Sequence, residues 1–189
     1  MVKQKTLTPV MTPDQERFMA FEGLVQWTQA VITQSARISE ARERQSASLR
    51  LGPTSTPQQR RQAMHAFHSE CHFFAIAAYK LLEYRNWVRT FGLCASVDFG
   101  EVDQFSEQDI RDLRIMREHV VEYFTGGGNA QARWTVETPE YRADASSVVG
   151  TMIGGRLDWV AFGAAAGRLL PQLLAEPIPY PTQKSGGLP

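Results

Sequence analysis

The chain has 189 residues, and its 20 basic and 20 acidic side chains give a formal net charge of zero at pH 7. This balance excludes the broad electrostatic attraction of proteins that bind long nucleic acids non-specifically. Hydrophobic residues make up 43% and charged residues 21%, and no apolar run is long enough to span a membrane.

We therefore expect a globular protein with no membrane partner. Polar sequence follows Met1, without the apolar run of a secretory signal, which favours a cytoplasmic protein. The pattern predicts one helical domain over residues 12–175, a flexible arm over residues 1–11 and a Pro- and Gly-rich tail over residues 176–189.

Two long helices are predicted in the first half of the chain. Thr12 and Pro13 supply a cap and a first-turn proline for a helix over about 13–47, which could be interrupted near Gly23 or Ser35. A cluster of Gly, Pro, Ser and Thr over residues 51–57 must be a loop. Thr56 is then the cap of a second helix over about 57–90.

One side of the second helix carries three histidines. His65, His68 and His72 fall at i, i+3 and i+7, within an arc of about 60°, and Tyr79 and Glu83 project into the same arc. The opposite side carries an apolar stripe, which comprises Met64, Phe67, Cys71, Phe74, Ala78 and Leu82. The helix should therefore bury one side and present titratable groups on the other.

A third helix is predicted over about 107–124, beginning at the Ser106 cap and ending before the glycine run at 126–128. Residues 131–137 alternate as in a short strand, whose partner would be the same segment of a second subunit or a stretch near Tyr141. From about Ala145 to Pro171 the spacing is again helical. Four small residues of this fourth helix would let a neighbouring helix approach closely: Gly150, Gly154, Gly163 and Gly167.

The fold class predicted is all-α: an antiparallel bundle of about four long helices with a short extended or β insertion around 131–137. A homodimer is expected from the small residues of the fourth helix, the unpaired strand near Trp134 and two complementary charged segments. Residues 37–61 contain six arginines and two glutamates, whereas residues 98–122 contain eight acidic residues and three arginines. Cys71 and Cys94 are expected to be buried thiols.

The histidines allow two interpretations. His65, His68 and His72 could converge with His119 or Glu118 of the third helix on a metal ion, because bundles often hold metals between facing helices. Alternatively, they form a partly buried polar seam that hydrogen-bonds to neighbouring side chains.

A second candidate site is the pair Arg114 and His119. An arginine can hold a phosphate, and a nearby histidine can act as acid or base, so together they could cleave RNA through its 2′-hydroxyl. The alternative is structural, because Glu118 and Glu122 can form i, i+4 ion pairs with Arg114 and Arg117.

The long helices, the Arg-x4-His spacing and the following Val120-Val121-Glu122-Tyr123-Phe124 together resemble the HEPN superfamily of helical bundles, over roughly residues 60–170. The resemblance implies that Arg114 and His119 of two subunits assemble a metal-independent ribonuclease site, with Arg114 binding phosphate and His119 acting as general acid or base. Other members of the superfamily are binding or regulatory bundles.

Three functions remain open at this point. The first is a regulatory or interaction bundle that contacts a nucleotide, RNA or a protein partner, without a cofactor. The second is an endoribonuclease that uses Arg114 and His119. The third is a metal-binding bundle that uses His65, His68 and His72.

Overall fold

The computed structural model describes residues 11–50 and 54–181. These residues contain six α-helices, which are α1 (Pro13–Arg50), α2 (Pro57–Thr90), α3 (Gly100–Asp103), α4 (Glu107–Glu118), α5 (Val120–Phe124) and α6 (Trp159–Ala175). They also contain five short strands, which are β1 (Thr135–Glu137), β2 (Arg142–Asp144), β3 (Val148–Val149), β4 (Met152–Ile153) and β5 (Leu157–Asp158). The helical class is confirmed, but only α1 and α2 are long, so four long helices are not.

Side-chain caps fix the starts of the two long helices. Thr12 Oγ1 accepts from the backbone N–H of Gln15, and Gln15 Oε1 accepts from the backbone N–H of Thr12. Thr56 and Gln59 form the same reciprocal pair before α2, with Pro57 in the first turn. Each pair satisfies two backbone donors that a helix start would otherwise leave free, so both sequence-predicted starts are confirmed.

α1 runs without a break through Gly23 and Ser35. Gly23 permits close packing, because a Cβ there would lie 1.9 Å from Cε1 of the Tyr84 ring on α2. Ser35 Oγ donates to the carbonyl oxygen of Trp159 at 3.1 Å, which ties α1 to the start of α6. Both residues therefore serve helix packing.

α1 packs along α2 and, less extensively, against α6, while α4 packs on α2. The predicted apolar stripe of α2 is buried in the core except for Met64, which is 41% exposed. Since this stripe faces the core, the histidine side of α2 is turned toward α4 and the segment that follows β2.

The predicted fourth helix is wrong in its first half. Residues 148–158 form an antiparallel meander in the order β3-β4-β5, and α6 begins only at Trp159, where Asp158 Oδ1 caps the backbone N–H groups of Val160 and Ala161. Gly150 and Gly154 are turn residues at φ +60° and φ +58°, a backbone conformation that ordinary residues seldom adopt. The helical spacing of apolar residues there was coincidental.

Of the two glycines within α6, only Gly163 makes a close approach. Its added Cβ would lie 2.5 Å from Ser35 Oγ of α1, whereas Gly167 has open space around it. A close contact between helices therefore exists at one of the four predicted positions, and it lies within the chain.

The predicted third helix is divided at His119, whose backbone (φ −109°, ψ 31°) leaves the helical conformation between α4 and α5. The predicted strand is confirmed as β1, and its partner is β2 of the same chain, with Val136 opposite Ala143. Since β1 is paired, the unpaired strand no longer argues for a homodimer, which stays a prediction.

Residues 1–10 of the arm predicted over 1–11, and residues 182–189 of the tail predicted over 176–189, lie outside the described residues. Within them, Tyr180 stacks on Phe18 of α1 with ring centroids 5.9 Å apart. Among the described helices, none combines the length and apolarity needed to cross a membrane.

Candidate functional site

A cavity of about 360 Å³ opens between α2, α4 and the turn after β2. We call it the Arg117 cavity. Its lining includes His68, His72, Phe73, Arg117, Val120 and Ser146. Its size is at the lower end of the range for small-molecule sites, and its walls combine apolar surface with a few polar groups.

Arg117 is the basic residue of this cavity. Its Nη1 donates to the carbonyl oxygens of Ala145 (2.9 Å) and Ser146 (3.3 Å), and its Nη2 donates to that of His68 (3.2 Å). Its Nε is buried and has no hydrogen-bond partner within the part of the chain that the structure describes. No described carboxylate lies within 4 Å of the guanidinium, and burial lowers the pKa of Arg117, so its positive charge is poorly compensated.

Asp144 is the carboxylate that acts on Arg117. Its charge favours the charged form of Arg117 and raises the pKa of that group, but only as a secondary effect. Asp144 Oδ1 accepts from the backbone N–H and the hydroxyl of Ser146 and from the backbone N–H of Ser147, at 2.6–3.0 Å. That oxygen is therefore occupied in shaping the turn that supplies carbonyl oxygens to Arg117.

Two histidines of α2 share the cavity wall with Arg117. Burial lowers the pKa of His68 and of His72, and the charge of Arg117 lowers both further. Glu118 opposes this effect at His72. Because an unperturbed histidine titrates near pH 6.5, both rings are neutral at pH 7 and can donate or accept a hydrogen bond.

Cys71 is close to the same guanidinium but is chemically inert. Its side chain is fully buried, and burial raises the pKa of the thiol to about 12, although the charge of Arg117 acts in the opposite direction. Cys94 is also a free, buried thiol. The expectation of two buried thiols is confirmed, and neither is set up as a nucleophile.

Arg114 points toward the same side of α2 but is neutralised. Its Nη2 lies 2.9 Å from Glu118 Oε2, its Nε donates to Glu118 Oε1 at 3.0 Å, and its guanidinium lies 5.0 Å from the centroid of the Tyr79 ring. The predicted i, i+4 ion pair with Glu118 is thereby confirmed. Arg117, by contrast, makes none of the predicted ion pairs.

His119 lies at the break between α4 and α5, and its side chain is 52% exposed. Its Nδ1 lies 3.0 Å from Glu122 Oε1. Arg114 and His119 thus each pair with a different glutamate, and neither lines the Arg117 cavity. The structure provides no shared site for the two residues within one chain.

The three histidines of α2 do not converge on a common point. His65 is exposed, whereas His68 and His72 face the Arg117 cavity. Among the described residues, which include all four histidines, no group of three His, Cys, Asp or Glu side chains could hold a metal ion. This arrangement does not support the metal-binding interpretation, which stays a prediction, because the i, i+3, i+7 spacing spreads the rings along the helix.

Sequence reasoning missed Arg117 as a site residue. The available signal was its position on the core-facing stripe of α4, at helical spacing from the buried Leu113 and the half-buried Val120. An arginine on an apolar stripe either finds a buried carboxylate or surrounds itself with carbonyl oxygens. Only the fold reveals that carbonyl oxygens are the partners here.

No family model, curated protein or solved structure matches the chain. The resemblance to the HEPN superfamily therefore stays a prediction.

Proposed function

We propose that the protein is a binding protein of regulatory type, which takes up a phosphate-bearing small molecule, such as a mononucleotide, in the Arg117 cavity. The observation that carries the proposal is a guanidinium in the cavity wall with backbone carbonyl partners and no described carboxylate within 4 Å. A buried charge without a counter-ion is costly, and a bound anion would supply one. Arginine is also suited to the planar, paired oxygens of a phosphate.

The neutral rings of His68 and His72 support the proposal. They can donate hydrogen bonds to phosphate oxygens, and a bound anion would counteract the positive potential that lowers their pKa. Ser146 adds a hydroxyl to the wall. The cavity thus offers several hydrogen-bond donors to one anionic group.

A nucleotide is favoured over a bare anion by the rim of the cavity. Phe73 is 55% exposed although its neighbour Phe74 is fully buried, and Val120 lies in the same wall. An exposed aromatic ring beside phosphate donors can pack against a nucleobase. The chemical groups that line this cavity therefore fit a phosphate at Arg117 and a base near Phe73.

The test is calorimetric titration with 5′-AMP and with inorganic phosphate. Arg117→Lys keeps the charge but loses the paired donors, and we expect it to weaken AMP binding by about tenfold or more. Arg114→Lys is the matched control one turn earlier and should leave the affinity unchanged. Phe73→Ala should weaken AMP binding and spare phosphate.

Absence of AMP binding at millimolar concentration, or equal losses in Arg117→Lys and Arg114→Lys, would overturn the proposal. An assay with labelled RNA in the presence of chelator tests the ribonuclease alternative. Cleavage that disappears in both Arg114→Lys and His119→Gln, but persists in Arg117→Lys, would favour that alternative instead.

A further inference from the structure

Two more cavities lie beyond the Arg117 cavity, on the side of His68 and α1. The second has a volume of about 220 Å³, and its lining includes Arg42, Gln45, His68, Val148 and Gly150. The third has a volume of about 460 Å³ and extends along α1 to Arg50. His68 lines the first and second cavities, and Arg42 lines the second and third, so each cavity shares a wall residue with the next.

Arg42 is the positively charged residue that lines both the second and the third cavity. Its guanidinium lies 5.2 Å from the centroid of the Trp159 ring and donates to the carbonyl oxygen of Gly150. Like Arg117, it has no described carboxylate within 4 Å. Its contacts with Trp159 and Gly150 orient the guanidinium at the junction of two cavities without neutralising it.

Both guanidinium groups act on one residue of α2 and border a cavity that is lined by His68. The charges of Arg117 and of Arg42 both act on the thiol of Cys71, one helical turn from His68 on α2, and both oppose the rise of its pKa. Arg50, exposed at the far end of the third cavity, adds a further positive charge, whereas Glu43 is the acidic residue of that lining. Positively charged side chains therefore line the cavities on both sides of His68.

The third cavity also borders a hydrogen-bond donor that has no partner among the described residues. Trp159 lines it, and its indole Nε1 is buried without a hydrogen-bond partner among the described residues. Buried donors without partners are rare in folded proteins. The Arg117 cavity and the third cavity thus each border a buried donor that a ligand or water could satisfy.

We infer that the groove formed by these cavities binds a small molecule with two separated phosphate groups, one at Arg117 and the other at Arg42. The inference rests on the proposed function for the first phosphate. It adds a second anion subsite and predicts that the spacing of the two charges matters.

The experiment compares 5′-AMP, ADP and adenosine 3′,5′-bisphosphate in calorimetric titrations. ADP and the bisphosphate each carry two phosphates, but only in the bisphosphate does the ribose separate them. We expect the bisphosphate to bind about tenfold more tightly than either of the other two, since a charge-assisted contact is added at Arg42.

Arg42→Lys should reduce this advantage severalfold while leaving AMP binding unchanged. Since Arg42 also contacts Trp159 and Gly150, Arg50→Gln provides a second variant, at an exposed position without a described partner. It should reduce the bisphosphate advantage by about twofold through the loss of one nearby charge. Arg44→Lys is the control, because Arg44 lies on the same helix, pairs with Glu40 and lines none of the three cavities.

The outcomes separate the two proposals. If AMP binds through Arg117 but the bisphosphate shows no advantage, or an advantage that neither Arg42→Lys nor Arg50→Gln reduces, the second subsite is wrong and the proposed function stands. If none of the three nucleotides binds, both fail.

Discussion

Arg114 and Arg117 lie one turn apart on α4, yet their surroundings differ in kind. Arg114 makes two contacts with the carboxylate of Glu118 and stacks over Tyr79, and its side chain is 30% exposed. Arg117 is more deeply buried and has only backbone carbonyl oxygens as hydrogen-bond partners. The first charge is neutralised at the surface, whereas the second is held inside the wall of a cavity.

Counter-ions, more than sequence spacing, decide which arginine can bind an anion. A ligand at Arg114 would compete with Glu118 for the same donors. A ligand at Arg117 would replace no carboxylate and would relieve an uncompensated charge. Histidine follows the same rule, because His119 pairs with Glu122 while His68 and His72 face Arg117.

The largest effect is expected from removal of the uncompensated charge. Arg117→Met should weaken 5′-AMP binding by about a hundredfold, because the paired donors and the charge are both lost. Calorimetry measures the affinity, and urea unfolding checks that the variant folds. Arg111→Met, at an exposed position on the same helix, should bind like the parent protein. A similar loss in both variants would mean that α4 has been disturbed as a whole.

A change of pH should produce the next largest effect. Sulfate, whose charge stays constant, should bind roughly three- to tenfold more tightly as the pH falls from about 8 to about 6. The pKa of His68 and of His72 is lowered in the free protein, and a bound anion favours their protonated forms, so binding takes up protons. Arg42, Arg117 and Glu118 are the charged groups that face these rings from α1 and α4, and His65 lies beside His68 on α2.

The control for this pH dependence is the double variant His68→Gln and His72→Gln, in which the affinity for sulfate should be independent of pH. A parent protein that binds sulfate equally well at both ends of the range would contradict the assignment of these rings to the anion site.

A smaller effect is expected from one histidine at a time. His72→Gln should weaken AMP binding by about threefold, since one neutral donor is exchanged for another with different reach. His65→Gln is the matched control on the same helix, because His65 is exposed and lies outside the cavity lining. Fluorescence competition with a labelled nucleotide is sensitive enough to resolve the two. Equal losses would place the ligand along the whole histidine side of α2.

The smallest effect is expected at the neutralised arginine. Arg114→Met should lower the free energy of unfolding by about 0.5 kcal/mol or less, which is typical of a partly exposed i, i+4 ion pair. Its AMP affinity should stay within about twofold of the parent value. Urea denaturation measures the first quantity. A loss of affinity comparable to that of Arg117→Met would contradict the distinction between the two arginines.

Local signals in the sequence were sufficient for the first half of the fold. The Thr12 and Thr56 caps and the apolar stripe of α2 follow from rules that involve neighbouring residues, and they are confirmed, except that Met64 of the stripe is exposed. The predicted loop at 51–57 lies partly outside the described residues. The side of α2 that carries the histidines could also be identified, because helical periodicity determines which residues share a side.

The second half depends on interactions that periodicity does not report. Gly150 and Gly154 lie in turns with positive φ, and those turns convert a stretch with helical spacing into β3, β4 and β5. Short strands of two or three residues carry too few side chains to show alternation. The helical interpretation of residues 145–158 failed for this reason.

The candidate site was predictable only in part. His68 and His72 were identified, but their partner is Arg117, whose role depends on the backbone carbonyls of residues 145 and 146, far along the chain. Arg114 was singled out by its spacing from His119, and the same spacing analysis also predicted the ion pair with Glu118 that neutralises it. Only the three-dimensional structure shows that Arg114 is paired with a carboxylate and that Arg117 is not, so the sequence alone could not identify the anion-binding arginine.

The four histidines make a direct measurement possible, because two of them line the Arg117 cavity and two do not. NMR titration with 5′-AMP should shift the ring signals of His68 and His72 and raise the pKa of both rings, while the signals of His65 and His119 stay in place. Ring signals that all remain unchanged at saturating nucleotide, or shifts confined to His119, would contradict the account of Arg117 as the anion-binding arginine.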